Sequence, residues 1–463
     1  MEQSKSLQKY ALIVIIATSF LTSFLSGALN IAIPYIGEEF KSGAVPLGWV
    51  ATGFMLGCAV FMVPAGRLAD IIGRKKVFLT GSCICFIAAC LCGTVNTITA
   101  LIVFQILQGV GAAMIFGPSQ AIISSVIPPQ NRGRALGANA TGVYAGFSLG
   151  PVLGGIINHR FGWHLIFYIC GGIGFLITLV GFLKLKVEWA DAAQEKYDWA
   201  GSILYMLGFA AFMYAISTFA TSSAAIYILF VGIVLLAVFI RYEIKAEYPV
   251  LNLKLFSRNR TFTFTNIAFF LNYCSLAGLN FFLSVYLQVM RGYDSQIAGI
   301  ILISQPITIV IMASAMGKLS DRLNPRALAS FGCGLSTLGI GILCFLSLET
   351  PLWIIIVSML IIGAGISMFV TPTTNATMGS IEKRYYGLAS SVLGTMRLTG
   401  QAVSLTIVTL IINLYAGNVE LNIAETSRLI SGGKVACVVF TIIGLGSVSA
   451  SLVRNKRGVQ PPQ

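Results

Sequence analysis

Apolar residues run in nearly unbroken stretches along almost the whole chain, with short polar loops between them. A membrane helix needs about 20 mostly apolar residues to cross a hydrocarbon core about 30 Å thick, and fourteen stretches are candidates for such a span. Six occupy residues 10–36, 46–64, 77–95, 98–126, 135–157 and 164–183. A pair follows at 199–219 and 224–240, and after a charged segment at 241–260 six more occupy 262–289, 297–316, 327–348, 352–378, 388–414 and 435–452. The first apolar run is too long for the core of a cleaved signal peptide and lacks a small-residue cleavage pattern, so it is expected to be a retained span. The pattern predicts an all-α integral membrane protein with fourteen transmembrane helices.

Composition excludes the alternatives. Of 463 residues, 56% are hydrophobic and 10% charged, where soluble domains carry about a quarter charged. That rules out both a soluble surface and intrinsic disorder. The net charge of +14 would suggest nucleic acid in a soluble chain, but here it reads as cytoplasmic loops rich in Lys and Arg. With the N-terminus cytoplasmic, 24 of the 30 bases fall inside, five fall outside (Lys41, Arg160, Arg291, Arg428, Lys434), and Arg397 alone lies within a span. This places both termini in the cytoplasm of a multi-pass cell-membrane protein. Trp49, Trp163 and Trp353 open spans on the outer side and Trp189 and Trp199 lie inside near a span start, as an aromatic belt requires.

The ten cysteines fall in spans or at their edges, leaving no extracellular disulfide framework. Cys83, Cys85, Cys90 and Cys92 resemble a metal tetrad only in a linear reading. On a helix Cys83 and Cys85 point about 200° apart and Cys90 lies about 10.5 Å along the axis from Cys83, too far for one zinc ion. No metal and no cofactor is expected. His159 and His164, five apart, have no neighbouring ligand to complete a zinc site, and a pH-sensing role for His164 requires Glu38 or Glu39 to meet it.

The chain repeats itself. Gly66-Arg67-Leu68-Ala69-Asp70 recurs as Gly317-Lys318-Leu319-Ser320-Asp321-Arg322 at an offset of 251. Ala28-Leu29-Asn30 matches Gly278-Leu279-Asn280 at 250, and at 254 Gly109-Val110-Gly111 matches Gly363-Ala364-Gly365 and Gly133-Arg134-Ala135 matches Gly387-Leu388-Ala389. Four matches in register predict a parallel duplication of the kind rocking transporters use. The expected units are an N-terminal six-helix bundle at 1–184, an inserted helix pair with its linkers at 185–260, and a C-terminal six-helix bundle at 261–463.

These residues carry a family resemblance. The loop at residues 66–76, GRLADIIGRKK, resembles the loop signature of the major facilitator superfamily. The run at residues 146–155, GFSLGPVLGG, is similar to the fifth-span signature of its drug exporters. Asp198-Trp199-Ala200-Gly201, Pro249-Val250-Leu251 with Leu255-Phe256, and Tyr286-Leu287-Gln288 with Gly292 and Ala298-Gly299 before Pro306 resemble marks of the fourteen-span drug/proton antiporter group. The resemblance spans the first to the thirteenth span. It implies a secondary transporter rather than an enzyme, probing the two sides of the membrane by alternating access.

The residues also have a physical reading of their own. Asp70, beside Arg67, Arg74, Lys75 and Lys76, can pair with a base or lie against a helix N-terminus, a contact that one rocking state makes and another breaks; Asp321 repeats it. Gly66, Gly73, Arg74, Gly317 and Arg322 complete the two candidate gating loops. Gly146, Gly150 and Gly154 share a face that allows close helix packing, and Pro151 favours a bend.

The acids partition as ten cytoplasmic and six outside (Glu38, Glu39, Asp294, Glu349, Glu420, Glu425), leaving none in a span. The related exporters commonly have an acid in the first span and an Arg in the fourth; here stand Leu25 and Gln105. The resemblance makes spans one, four, nine and twelve cavity-lining, with Asn30, Gln105, Gln108, Asn272, Asn280, Thr371, Thr374 and Asn375 as polar candidates for substrate contact. Arg397, whose burial costs about 2.5–3.5 kcal/mol, is a ninth candidate, with a structural role against backbone carbonyls as the alternative. Amides, hydroxyls and one guanidinium point to a neutral or anionic amphipathic small molecule as the transported partner. Membrane lipid surrounds it, the proton is the coupling ion the resemblance implies, and nucleic acid is not a partner. The expected function is multidrug-type export; a lipid or glycolipid flippase and a non-transporting membrane sensor are the alternatives.

Overall fold

The structure, a computed structural model of the chain, describes residues 2–219, 222–416 and 426–453. Glu420 and Glu425 lie outside them. Among the described residues there is no strand, and fourteen helical segments are long and apolar enough to cross a membrane.

The first six spans are α1 (Glu2–Phe40), α2 (Ala44–Ile72), α3 (Arg74–Cys92), α4 (Ile98–Val126), α5 (Pro129–Phe161) and α6 (Trp163–Lys184). The pair is α7 (Trp199–Thr218) and α8 (Ala225–Glu243), and the short α9 (Leu253–Arg258) lies in the charged segment that follows. The ninth span is broken into α10 (Arg260–Cys274), α11 (Ala277–Val285) and a π-helical turn (Tyr286–Met290). The tenth is divided into α12 (Ser295–Leu302) and α13 (Ser304–Arg322). Then come α14 (Pro325–Leu343), α15 (Leu352–Gly379), α16 (Tyr386–Ala416) and α17 (Thr426–Leu452).

The helices outrun the apolar windows because an apolar run marks the hydrocarbon core, while a helix continues until a residue breaks or caps it. Two expectations change with this. Arg160, Arg428 and Lys434, expected in outer loops, lie within α5 and α17, the first in the last turn of α5. Glu38, Glu39, Asp70, Glu243 and Asp321 lie in the last turns of α1, α2, α8 and α13 rather than beyond them. No described helix carries an acid in its middle. Pro34, Pro64, Pro118, Pro151 and Pro372 sit inside helices, where neighbouring helices can satisfy the freed carbonyls. Between α2 and α3 the chain turns on Gly73 alone, at φ 120°, a backbone region that only glycine enters without strain.

Packing follows the duplication. In one six-helix bundle α1 packs on α5, α4 on α2 and α3, and α3 on α6; in the other α15 packs on α13 and α14, and α10 on α16 and α17. Helices α7 and α8 pack on each other, with α7 reaching α2 and α16. The repeated glycines do equivalent work: a Cβ at Gly111 would meet the Cys85 amide of α3 at 2.5 Å, and one at Gly365 the Ser336 amide of α14 at 2.5 Å. The bundles meet along α5 with α13 and along α2 and α4 with α16.

Candidate functional site

The seam between the bundles is tightest at the end where α1 begins. Asp70, fully buried in the last turn of α2, accepts from the Gly387 amide at 2.8 Å and the Leu388 amide at 2.9 Å. Those amides open α16 and have no partner inside their own helix, so the carboxylate caps the positive end of a helix in the other bundle. Arg74, also fully buried, binds Asp70 Oδ1 through Nε at 2.9 Å and Nη2 at 2.7 Å. It also reaches Ser125 Oγ and Asp191 Oδ2, each at 2.8 Å, and the Lys383 carbonyl. The approach depends on small residues: a Cβ at Gly66 would lie 2.0 Å from Ser391 Oγ and 2.5 Å from the Gly387 carbonyl.

The duplicate builds the same latch with the bundles exchanged. Asp321, ending α13, accepts from the Gly133 amide at 2.7 Å and the Arg134 amide at 3.0 Å at the start of α5. A Cβ at Gly317 would stand 2.3 Å from the Gly133 carbonyl. The two latches differ in their polar partners. Where the first has Arg74 four residues after its acid, the second has Pro325, and Arg322 points out to solvent. Asn375 takes over, donating to Asp321 Oδ1 and Ser320 Oγ at 3.2 Å each while its own oxygen accepts from Arg132 Nε at 2.8 Å. Asn375, expected in the cavity, is therefore part of the second latch.

Sequence reading missed the linkers. In the segment between α6 and α7, Glu195 pairs with Arg67 and Asp191 with Arg74, Glu188 accepts from the Lys75 amide at 2.9 Å, and Ala192 donates to the Asp70 carbonyl. Tyr197 donates to the Pro64 carbonyl at 3.3 Å; burial raises its phenol above the ordinary value, opposed by the Ser202 hydroxyl and the Arg67 charge. The segment after α8 holds the other bundle: Asn252 donates to Tyr385 Oη at 3.0 Å and Asn259 to the Ser380 carbonyl at 2.6 Å. The inserted pair thus hangs between two straps, one on each side of the first latch. The only sequence signal was three acids set opposite a basic loop.

Further along the seam the polar contacts thin out. Thr141 donates to the Val310 carbonyl at 3.4 Å, the hydroxyls of Tyr144 and Tyr273 lie 3.1 Å apart, and the Arg397 guanidinium stands 5.7 Å from the centre of the Phe116 ring. Several cavity candidates are turned elsewhere. Gln105 donates to Cys92 Sγ at 3.8 Å, Gln108 turns to the Cys85 thiol, and Asn272 donates to Ser336 Oγ at 3.4 Å, each buried inside its own bundle. Thr374 bonds back to the Val370 carbonyl, and the buried Thr371 hydroxyl has no partner among the described residues. Asn30 is exposed, and Asn280 and Arg397 are half-buried. Among the described residues Arg397 makes no hydrogen bond to a backbone carbonyl.

The glycine stripe of α5 faces α1 inside the first bundle, where a Cβ at Gly146 or Gly150 would meet the Phe20 or Phe24 carbonyl at 2.3 or 2.5 Å, and one at Gly154 the Ala28 Cβ at 2.5 Å. Pro151 packs there too, its Cδ 3.1 Å from where a Gly27 Cβ would be. At the far end of the same bundle Glu39 accepts from Trp163 Nε1 at 2.7 Å and lies 3.5 Å from His164 Nε2, so these ends of α1 and α6 do meet. Among the described residues no group of His, Cys, Asp or Glu could hold a metal ion, and all ten cysteines are free.

A family model described as the Major Facilitator Superfamily matches residues 15–405. The riboflavin transporter RibZ of Clostridioides difficile (strain 630) is 29% identical over 394 residues, 84% of this chain and 85% of that protein. Multidrug resistance protein 3 of Bacillus subtilis (strain 168) is 30% identical over 367 residues, 78% of this chain and 71% of its own. The methylenomycin A resistance protein of the same organism is 27% identical, covering 90% of each chain. A crystal structure of the human organic anion transporter MFSD10 (TETRAN) superposes with a TM-score of 0.68 at 13% identity, over 97% of this chain and 98% of that one, a likeness of fold alone.

Proposed function

The chain belongs to the Major Facilitator Superfamily and is a multi-pass membrane transporter of small molecules, not an enzyme; from that premise we propose that it exports an amphipathic neutral or anionic compound by alternating access. The units that rock are residues 1–184 and 261–463, with 185–260 carrying the inserted pair. The observation that carries the reading is the reciprocal pair of carboxylate-on-helix contacts, Asp70 on α16 and Asp321 on α5. Each joins the two bundles through surface that must separate when that end opens, and each consists of bonds that water can replace at modest net cost.

The charge distribution supports a cytoplasmic location for this end, because the basic loops cluster there. On that orientation the seam is shut toward the cytoplasm. Several relatives carry names of drug resistance, which supports export, and a relative named for riboflavin transport supports a planar organic molecule as cargo. Proton coupling fits the superfamily, and its carrier here is not an acid in the middle of a described helix. A purified sample in proteoliposomes loaded with a neutral hydrophobic dye tests the proposal. Efflux that exceeds the flux of an Asp70→Asn sample supports it, and equal flux in both refutes it.

A further inference from the structure

We propose that Arg397 is the anion-binding group of the transport site and that the molecule it takes is an aromatic organic anion. The inference rests on the transport reading above and names the substrate class for it. Arg397 lies about 16 Å along α16 from Tyr386 at 1.5 Å per residue, roughly half the hydrocarbon thickness into the membrane. Its guanidinium stays charged under all ordinary conditions and carries five donors in a planar fork. Among the described residues it makes no hydrogen bond and no ion pair, and its guanidinium stands over the Phe116 ring of α4. The buried arginines of the seam behave differently. Arg67 and Arg74 hold carboxylates, and Arg132 holds the amide and carbonyl of Asn375.

An unpaired charge in a membrane interior is costly, and every described acid sits in a loop or at a helix end, away from the middle of the spans. The groups around Arg397 say what would complete it. Tyr144 of α5 and Cys58 of α2 are close enough for its charge to be felt, and the Tyr144 hydroxyl meets that of Tyr273 on α10. One planar cation, two hydroxyls and the Phe116 ring, with no carboxylate among them, suit a flat ring that bears a negative group. The fork can take that group bidentately, and the rings can stack or meet edge to face. Such a ligand would touch α4, α5, α10 and α16 together. It would do so beside the break in the ninth span, which begins at Ser275, two residues after Tyr273, the kind of discontinuity that marks transporter sites.

The test is thermal unfolding and equilibrium binding of the full chain in nanodiscs with naphthoate, its methyl ester, naphthylmethylammonium and fluorescein. We expect at least one of the two anions to raise the wild-type Tm, and naphthoate to bind at least about tenfold tighter than its ester. In Arg397→Gln that preference disappears while the ester binds as before, and Arg397→Lys restores part of it. Without ligand, Arg397→Gln unfolds no lower than wild type, because an unpaired, half-buried charge has been removed. A purely structural guanidinium predicts the opposite, a lower Tm in Arg397→Gln regained in Arg397→Lys. That result, no anion-dependent shift in the wild type, an equal shift in Arg397→Gln, or tighter binding of the ammonium would each overturn the inference. Neutral-dye efflux abolished by Asp70→Asn would leave the transport reading standing in each case.

Discussion

Asp70 and Gly387 meet across the seam at 2.8 Å, a side-chain oxygen on the first free amide of a helix 317 residues away in the chain. Replacing Asp70 by Asn keeps one acceptor oxygen but removes the charge that faces Arg74 and the helix start. Each charge-assisted bond weakened is worth about 1.5–3 kcal/mol, so Asp70→Asn should lower dye efflux at least about tenfold with normal membrane levels. Asp321→Asn should lower it less, since Asp321 is only half-buried, lacks an arginine at the fourth position after it and keeps Asn375. Undiminished efflux in Asp70→Asn would reduce the loop to a topology signal.

Gly66→Ala tests the close approach itself. The added methyl cannot share space with Ser391 Oγ and the Gly387 carbonyl, and overpacking costs about 1–3 kcal/mol. The closed end should open more often, so a thiol reagent should reach Ser320→Cys, buried in the other latch, at least about fivefold faster in the Gly66→Ala background. An unchanged labelling rate would mean that the bundles do not part along this seam.

Two ion pairs provide an internal contrast. Arg67 and Glu195 have side chains 2% and 19% exposed, whereas Arg384 and Glu382 are 46% and 66% exposed. Glu195→Gln strands Arg67, whose Nε and Nη1 already lack partners, and should cost about 3 kcal/mol. Glu382→Gln should cost close to nothing. Comparable Tm values for the two variants would show that the first strap contributes no more than a surface pair.

Orientation is open to direct measurement. In intact cells and a background without native cysteines, Ser222→Cys should react with an impermeant thiol reagent added outside, and Ser257→Cys should not. The reverse pattern would invert the sidedness proposed above.

Span number and the duplication were legible because both depend on features that repeat locally: about twenty apolar residues per crossing, and glycines where helices touch. The inward face of each helix was not legible. Lipid and bundle interior are equally apolar, so nothing in the sequence distinguished Gln105, held by Cys92, from Arg397, left open. The pairing of Arg132 with Asn375, 243 residues apart, leaves no local trace either, which is why Asn375 was expected in the cavity. The break at Ser275 and Leu276 has no proline to announce it; Ser404 of α16 donates no pattern to sequence, yet its hydroxyl accepts from the Gly278 amide at 2.8 Å.

Both latches draw their donors from backbone, and this bears on how such a protein can diverge. A main-chain amide survives every substitution except proline, so the exposed side chain at Arg134 is free to drift while the contact persists, and Leu388 answers only to the core it packs in. What inheritance must preserve is small: one carboxylate and a pair of glycines on each side. After an ancestral copy doubled, the flanking residues could go separate ways, an arginine in one half and a proline in the other, without either half losing its hold on its partner.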